Sequence, residues 1–133
     1  MGSDRTEIRV IFGDTDQMGV VYHANYLRWF EASRGTFLRA RGRSYAELEA
    51  MGYGLPVVEA HVHYRRPARY DDLLVVEPTL VEVKAASFKF SYRALRGEEL
   101  LAEGWTLHAC IDTAGRARRL PEEVRRVLAA PLL

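Results

Sequence analysis

The sequence predicts one α+β domain in which an antiparallel sheet of five or six strands covers a long, mostly apolar helix. A short alternating segment near the N-terminus precedes a long apolar segment, and several runs of alternating apolar and polar residues fill the second half. The 133 residues fit a single domain, 1–133, because no repeat, low-complexity tract or Gly/Ser/Pro-rich linker divides them. A helix that is apolar on most sides needs a second layer to cover it, and a curved sheet supplies that layer.

The first strand and the long helix are separated by a loop. Residues 6–12 alternate polar and apolar, as a half-buried strand does. The segment GDTDQMG, residues 13–19, breaks that pattern with two glycines and two aspartates and is typical of a loop. Asn25 is expected to cap a helix that runs to about Arg41. The wide apolar surface of this helix is made by Leu27, Phe30, Phe37 and Leu38 and by the small residues Ala32, Ser33 and Gly35.

The rest of the chain predicts a short helix, four strands and a C-terminal helix. Ser44 and Glu47 form a capping-box pattern, so a second helix should end just before Gly52. The runs that predict strands are 58–64, 73–83, 87–95 and 100–112, with 116–120 extending the last hairpin. Pro121 is placed to open a short helix. The edges of such a sheet need cover, and pairing between two copies of the chain would provide it.

The composition excludes several classes of protein. A net charge of +1 argues against a nucleic-acid binder, which normally carries a basic face. The single cysteine, Cys110, excludes an internal disulfide and a cysteine-rich metal site. No apolar stretch reaches the roughly 20 residues that span a bilayer, and the N-terminus lacks the features of a signal peptide, so we expect a cytoplasmic protein. Arginine far outnumbers lysine and side-chain amides are scarce, which fits a thermophilic source or a GC-rich genome.

The segment GDTDQMGVVYHANY, residues 13–26, combines a carboxylate, a flexible loop, a histidine and a helix start. A helix start offers free backbone N–H donors that can stabilise the oxyanion formed in acyl transfer, worth about 2.7–4 kcal/mol per donor. Asp16 could attack the carbonyl or activate a water that does so, and Gly19 would let the backbone approach a ligand closely. The alternative is that Asp-Thr-Asp supplies only turn and capping chemistry.

The position of this carboxylate bears on its role. A carboxylate that faces a helix N-terminus is stabilised as the anion, which weakens it as a base. A thioester is an activated electrophile, so a nucleophilic carboxylate and a weak base would both work on it. The electrostatics favour nucleophilic attack slightly and leave both roles open.

Two segments resemble a known family. The run DTDQMGVVYHANYLRWFEASR resembles the signature of the YbgC-type and 4-hydroxybenzoyl-CoA thioesterases of the hotdog superfamily. The stretch YRRPARYDDLLVVEPTL resembles the second block of the same family, and the order of strands and helix extends the likeness over nearly the whole chain. The resemblance implies a helix wrapped by a five-stranded antiparallel sheet, dimers with active sites at the subunit interface, and often tetramers.

The resemblance also implies roles for individual residues. The second aspartate of the DxD pair is the catalytic carboxylate of the family and falls on Asp16, and the loop glycine falls on Gly19. The backbone N–H that polarises the thioester carbonyl falls on His23, whose side chain either adds hydrogen bonding or proton transfer or only caps the helix. Tyr22-His23 matches the YbgC-type, because the 4-hydroxybenzoyl branch has an aromatic residue before proline there. Tyr22 and Asn25, within the same motif, are predicted substrate contacts.

Coenzyme A carries phosphates, which call for basic side chains near the pocket. Arg65, Arg66 and Arg69 are the nearest basic cluster in the sequence. The alternative is that they pair with aspartates 71 and 72 and brace the connection between strands. Where the 4-hydroxybenzoyl branch has a basic cluster ahead of Ser-Phe, this sequence keeps only Lys84, which weakens the case for that substrate.

The remaining polar candidates are expected to be structural. Asp14 should cap or brace the loop, and Glu31 should pair with an arginine. His61 and His63 have a spacing that suits a metal on a strand, but no third ligand is evident, so they are expected to be partly exposed residues of a sheet face. The same is expected of His108 and Cys110. No metal is predicted, and the only cofactor expected is the coenzyme A that forms part of the substrate.

The predicted activity is hydrolysis of an acyl-CoA thioester to the free acid and coenzyme A, with the acyl group between subunits against the apolar helix. Short or medium aliphatic and aromatic acyl groups are all candidates, and acyl carrier protein is an alternative acyl donor. One rival is a hydratase or dehydratase on the same fold, which usually needs a histidine paired with a carboxylate. The other is a non-catalytic module that binds acyl-CoA.

Overall fold

The computed structural model describes residues 4–132, and its centre is one antiparallel sheet. The sheet has five strands in the order β1-β3-β4-β5-β2, so that β1 and β2 are its edges. This confirms the predicted α+β class and the single antiparallel sheet. The strands are β1 Thr6–Arg9, β2 Val57–Tyr64, β3 Leu73–Val83, β4 Ser87–Arg96 and β5 Glu99–Ala109.

Three helices accompany the sheet. They are α1 Asn25–Arg39, α2 Tyr45–Ala50 and α3 Glu122–Ala129. The long helix α1 packs on the sheet through aromatic rings: Phe30 stacks on Tyr92 with centroids 4.3 Å apart, and Phe37 meets Phe90 edge-on at 4.8 Å. These four side chains are almost completely buried. The sheet therefore covers one face of α1, as its apolar surface predicted. No helix of the described residues is both long and apolar enough to cross a bilayer.

The ends of the first elements differ from the prediction. β1 ends at Arg9, and Phe12–Asp14 form a single 3-10 turn in which Phe12 is 72% exposed. The strand stops early because the side chain of Asp14 accepts the N–H of Ile11 at 3.0 Å and turns the chain away from β3. Ala24, not Asn25, occupies the N-cap position of α1, and no side chain caps it.

The predicted second helix is confirmed together with its capping box. Ser44 Oγ accepts the N–H of Glu47 at 3.1 Å, and the Glu47 carboxylate accepts the N–H of Ser44 at 3.0 Å. Met51 is the C-cap, and Gly52 follows with a φ of 92°. Glycine adopts this left-handed backbone without strain, which is why the helix ends here.

Gly104 of β5 allows close packing of three elements. A Cβ on this residue would lie 2.1 Å from the carbonyl oxygen of His61 on β2 and 2.9 Å from the ring of Phe30 on α1. Both distances are below van der Waals contact, so only glycine fits where β2, β5 and α1 meet.

A chain of buried polar groups lies beneath the middle of α1. Arg34 Nη1 donates to Tyr92 Oη at 3.1 Å, Tyr92 Oη lies 2.6 Å from Thr106 Oγ1, and Thr106 Oγ1 lies 2.8 Å from His108 Nε2. The other ring nitrogen of His108 lies 3.1 Å from Leu55 O. Burial lowers the pKa of His108 to about 4, so the ring is neutral at pH 7.

This buried chain corrects one prediction. His108 and Cys110 are completely buried, not partly exposed on a sheet face. They point toward α1 because β5 pairs with β4 in a register that places even-numbered residues such as Thr106 on the helix side. His61 and His63 lie on the opposite face of the sheet and are exposed, as predicted.

Candidate active site

Backbone hydrogen bonds fold the loop between β1 and α1 on itself. The N–H of Asp16 donates to Val20 O at 2.9 Å, and the N–H of Gly19 donates to Asp16 O at 3.0 Å. The N–H of Val21 donates to Ala68 O at 2.8 Å and ties the loop to the connection between β2 and β3. Gly19 has a φ of 79°, and no heavy atom lies within 4 Å of its ideal Cβ position. The left-handed backbone, not a crowded neighbour, explains the glycine.

Asp14 braces this loop, as predicted. Its Oδ2 accepts the N–H of Ile11 at 3.0 Å, and its Oδ1 lies 3.8 Å from Arg28 Nη1. Its carbonyl oxygen accepts both the N–H of Tyr22 and the side-chain amide of Asn25, each at 2.8 Å. The first aspartate of the pair is buried and committed to local structure.

Asp16 is the less engaged of the two aspartates. Its Oδ1 accepts the N–H of Met18 at 2.9 Å, while its Oδ2 has no hydrogen-bond partner among residues 4–132. The side chain is half-buried and lines a pocket of about 360 Å³. We call this the Asp16 pocket. Its carboxylate is oriented by the loop and retains one free oxygen for a ligand.

His23 contributes an unused backbone donor to the same pocket. Within the described part of the chain its N–H has no hydrogen-bond partner, whereas the N–H groups of Val21 and Tyr22 are both engaged. His23 lies two residues before α1, where helices leave N–H groups without intrahelical partners. Its carbonyl oxygen accepts the hydroxyl of Tyr64 at 2.8 Å, which fixes the peptide against the end of β2.

Tyr64 is a pocket residue that sequence reasoning missed. It lines the Asp16 pocket with Tyr26, and the two rings meet at 69° with centroids 5.5 Å apart. Burial, with a further contribution from Tyr64, raises the pKa of Tyr26 to about 12, and burial also raises the pKa of Tyr64. Both phenols therefore stay protonated at neutral pH, and Tyr64 remains a donor to His23. The sequence feature that could have identified Tyr64 is its position at the end of an alternating strand, on the face that packs toward the helix.

Comparison with known proteins identifies the family and agrees with the fold. A family model described as the thioesterase-like superfamily matches residues 10–128. The chain belongs to the thioesterase-like superfamily. The family predicted from the sequence is therefore confirmed.

Individual relatives of this thioesterase-like chain match over most of their length. A putative esterase of Aquifex aeolicus is 38% identical over 120 residues, which cover 90% of this chain and 93% of that protein. The acyl-CoA thioester hydrolase YbgC of Escherichia coli O157:H7 is 34% identical, covering 90% and 91%. The crystal structure of hypothetical protein TT1821 from Thermus thermophilus has a TM-score of 0.90 at 42% identity, covering 94% and 96%. The predicted hotdog fold is confirmed by these likenesses.

The thioesterase-like chain places two of its predicted arginines at the pocket. Arg65 and Arg66 both line the Asp16 pocket. The expected alternative partners were aspartates 71 and 72, but Arg65 pairs with Glu103 at 3.0 Å and Arg66 with Glu99 at 3.3 Å, both on β5. Their side chains are 45% and 65% exposed, so these ion pairs are weak and leave both guanidinium groups accessible to a phosphate.

Asp72 has other partners that order the connection between β2 and β3. Its Oδ2 accepts the N–H of Arg69 at 2.8 Å and lies 2.7 Å from Arg96 Nη1. Partial burial raises the pKa of Asp72, but the Arg69 N–H and the Arg96 guanidinium outweigh it and hold the pKa below its ordinary value. Arg69 is exposed and does not line the Asp16 pocket.

Besides Gly19, three other predicted substrate contacts do not line the Asp16 pocket. Tyr22 is 46% exposed and its ring lies 4.5 Å from that of His23. Asn25 is buried, with its amide on Asp14 O. Lys84 is exposed in the turn after β3, and β3 spans roughly 35 Å, so this lysine is far from the pocket of its own chain. The roles of these residues toward substrate stay predictions.

Glu31 was expected to pair with an arginine, and it does not. No arginine nitrogen among residues 4–132 lies within 4 Å of its carboxylate, and the side chain is exposed. Neither this carboxylate nor any other forms a metal site: the described residues contain no cluster of three His, Cys, Asp or Glu side chains that could hold an ion.

Proposed function

We propose that this thioesterase-like chain hydrolyses an acyl-CoA thioester to the free acid and coenzyme A. The observation that carries the proposal is the pairing, in one pocket, of the free carboxylate oxygen of Asp16 with the unpartnered N–H of His23. The name of the E. coli relative, acyl-CoA thioester hydrolase, supports it. The reaction needs no cofactor besides the coenzyme A of the substrate.

The pocket residues divide the chemistry between them. The thioester carbonyl oxygen accepts the N–H of His23, and an oxygen from Asp16 or from a water adds to the carbonyl carbon. The carbon–sulfur bond then breaks, coenzyme A leaves as its thiolate, and water supplies the hydroxyl of the acid and the proton of the thiol. One such donor is worth about 2.7–4 kcal/mol to the oxyanion. Tyr64 holds the carbonyl of His23, which belongs to the peptide group that follows the one carrying this donor.

Asp16 acts as nucleophile or as general base. The N–H of Met18 holds Oδ1 and leaves Oδ2 free either to attack the carbonyl carbon or to take a proton from a water, so the geometry is compatible with both roles. A nucleophile forms an anhydride with the acyl group. Hydroxylamine added during turnover should then leave a hydroxamate on Asp16, detectable by peptide mass spectrometry. Attack of hydroxylamine on the acyl carbonyl would instead regenerate Asp16 and release an acyl hydroxamate, so the base role is assigned only if neither hydroxamate forms at hydroxylamine concentrations that do not react with the thioester itself.

The active form is proposed to be a dimer, and two such dimers are proposed to assemble into a tetramer. β2 is an edge strand of eight residues with exposed apolar side chains, since Val57, Val58 and Tyr64 are 44%, 54% and 46% exposed. Pairing with the β2 of a second copy would cover this edge and enclose the gap beside α1. Light scattering should give at least twice the chain mass, and Val58→Lys should lower it toward that of one chain.

The test of the activity is free-thiol release across acyl-CoAs from short to long and from aliphatic to aromatic. Wild type should release thiol, and Asp16→Asn should lower the rate by roughly two or more powers of ten, the scale of losing a positioned base or nucleophile. No release by folded protein on any acyl-CoA would overturn the proposal for coenzyme A and direct the assay to acyl carrier protein donors.

Two rivals give different results in the same samples. A hydratase would add water to an enoyl-CoA without releasing thiol. A binding module would hold acyl-CoA tightly and turn it over no faster than Asp16→Ala.

A further inference from the structure

A groove runs along the gap between α1 and β2 and leads away from the Asp16 pocket. It begins where His23 faces Tyr64. A second cavity of about 310 Å³ follows, lined by Leu27 of α1 and Ala60 of β2. A third, of about 670 Å³, lies beyond Val57 toward α2. The three cavities follow one another along this gap: from the Asp16 pocket onward, each is lined by later residues of α1 and earlier residues of β2. We call the three together the α1–β2 groove.

Arg34 is a buried cation beside this groove. It lines both the second and the third cavity, although its side chain is only 5% exposed. Its guanidinium donates from Nη1 to Tyr92 Oη and also interacts with the Tyr45 hydroxyl, but its buried Nε has no partner. Within residues 4–132 no carboxylate lies within 4 Å of its guanidinium, unlike the ion pair of Arg96 with Asp72. A buried charge without a counter-charge is costly, and an anion in the groove would relieve that cost.

The rest of the second cavity suits an anion with an apolar body. Its ionisable residues are Arg28, Glu31 and Arg34, so two positive charges face one negative charge. Leu27, Val57 and Ala60 supply apolar surface between them. Glu31 is exposed, so water screens its repulsion of an anion more than it screens the attraction of buried Arg34.

We infer that the α1–β2 groove binds the acyl chain of the substrate and prefers acyl groups that end in a carboxylate, which Arg34 receives. The inference rests on the proposed function, because it places the thioester carbon at Asp16. His23 and Arg34 are about 16 Å apart along the helix, and the arginine reaches back toward the N-terminus, so about eight to ten carbons fit between the two groups.

The experiment compares acyl-CoAs matched in length. Octanoyl-CoA ends in a methyl group, 8-hydroxyoctanoyl-CoA in a hydroxyl and suberoyl-CoA in a carboxylate. Wild type should hydrolyse suberoyl-CoA with a kcat/KM about tenfold to a hundredfold above that for octanoyl-CoA, the range of a hydrogen bond to a charged group. The hydroxyl substrate should fall between them. Equal values for all three would overturn the inference and leave the proposed function standing.

Three variants test whether the groove causes the preference for suberoyl-CoA over octanoyl-CoA. Arg34→Gln should abolish it, and Arg34→Lys should keep part of it. Glu31→Gln, at an exposed position that does not threaten folding, should raise it a few-fold by removing a repulsive charge. Arg126→Gln, on the 75% exposed arginine of α3, is the matched control and should leave it unchanged. A preference that survives Arg34→Gln in folded protein would contradict the assignment.

A binding measurement tests the inference without catalysis. Titration calorimetry with octanoate and with the uncharged 1-octanol should show the tighter binding for octanoate to wild type, and similar binding of both to Arg34→Gln. If no acyl-CoA is hydrolysed but octanoate still binds through Arg34, the proposed function fails and the anion site stands. If octanoate binds no better than 1-octanol, the anion site fails whatever the thiol assay gives.

Discussion

Two sets of polar groups lie along α1, one before its start and one beneath its middle, and they are satisfied in opposite ways. At the start, the free oxygen of Asp16 and the N–H of His23 have no partner in the described chain. Beneath the middle, Tyr92, Thr106 and His108 bond to one another in an unbroken chain.

The difference separates groups that are held ready for a ligand from groups that hold the fold. The loop at the start is fixed by its backbone, so its side chains can keep unused hydrogen-bond capacity at a half-exposed position. Tyr92, Thr106 and His108 are completely buried, where an unpaired donor or acceptor costs about 1–3 kcal/mol, and their polar groups are paired; the buried Nε of Arg34 is the exception in this set. Changes at the start should therefore cost activity, and changes beneath the middle should cost stability.

The largest expected loss of stability comes from Gly104→Ala. The new Cβ would meet the backbone oxygen of His61 at 2.1 Å, which neither strand can avoid. We expect the free energy of unfolding in urea to fall by more than about 3 kcal/mol, or no folded protein at all. Gly97→Ala is the control, because its Cβ would meet nothing within 4 Å and only its φ of 61° is unfavourable. Equal losses in the two variants would contradict the close approach of β2 and β5.

Acidification should weaken the buried chain through His108. The unfolded ring titrates near its ordinary pKa of 6.5 and the folded ring near 4, so the unfolded state binds more protons between these values. Stability is therefore lost as the pH falls from about 6.5 to 4, by up to about 3 kcal/mol. Urea unfolding of wild type and His108→Gln across this range should show the shallower pH dependence in the variant. Parallel curves would remove His108 as the cause.

Tyr92→Phe tests the same chain at neutral pH. The change removes the hydroxyl between Arg34 and Thr106 and leaves both with lost hydrogen bonds. The free energy of unfolding should fall by about 1–3 kcal/mol. Tyr70→Phe, on a ring that is 49% exposed, should change it by less than about 0.5 kcal/mol. A similar small change for Tyr92→Phe would mean that the buried chain adds little to stability.

Gly19→Ala should have the smallest effect on stability and a visible effect on activity. Its φ of 79° costs alanine about 1–2 kcal/mol, with no clash to add to it. The carbonyl and carboxylate of Asp16 are bonded within this turn, so thiol release should fall more for Gly19→Ala than for Gly19→Asn, since asparagine tolerates this backbone better. Equal activity of the two variants would show that the turn geometry does not position Asp16.

Much of this arrangement was predictable because it is local. The capping box of Ser44 and Glu47, the bracing role of Asp14 and the boundaries of β2, β3 and β4 depend on neighbours within a few residues. The resemblance added the family, and with it the helix wrapped by a five-stranded antiparallel sheet.

The sequence did not predict which face of β5 packs against α1. Trp105 and Leu107 alternate with Thr106 and His108, and their apolar side chains would favour the helix side, yet they are only half-buried. The helix side instead carries Thr106 and His108, whose polar groups are paired with each other and with β4. The pairing of neighbouring strands sets which β5 side chains face the helix, and it also brings Arg65 next to Glu103. A single sequence gives no register, so these partners could not be predicted.

The central claim is that Asp16 serves chemistry and not the fold. The direct measurement is kcat/KM for thiol release together with the free energy of unfolding, on wild type and Asp16→Asn from the same preparation. The account predicts a loss of at least about a hundredfold in kcat/KM and a change in unfolding free energy below about 0.5 kcal/mol. Unchanged turnover in a folded Asp16→Asn variant, or a lost activity fully explained by unfolding, would contradict it.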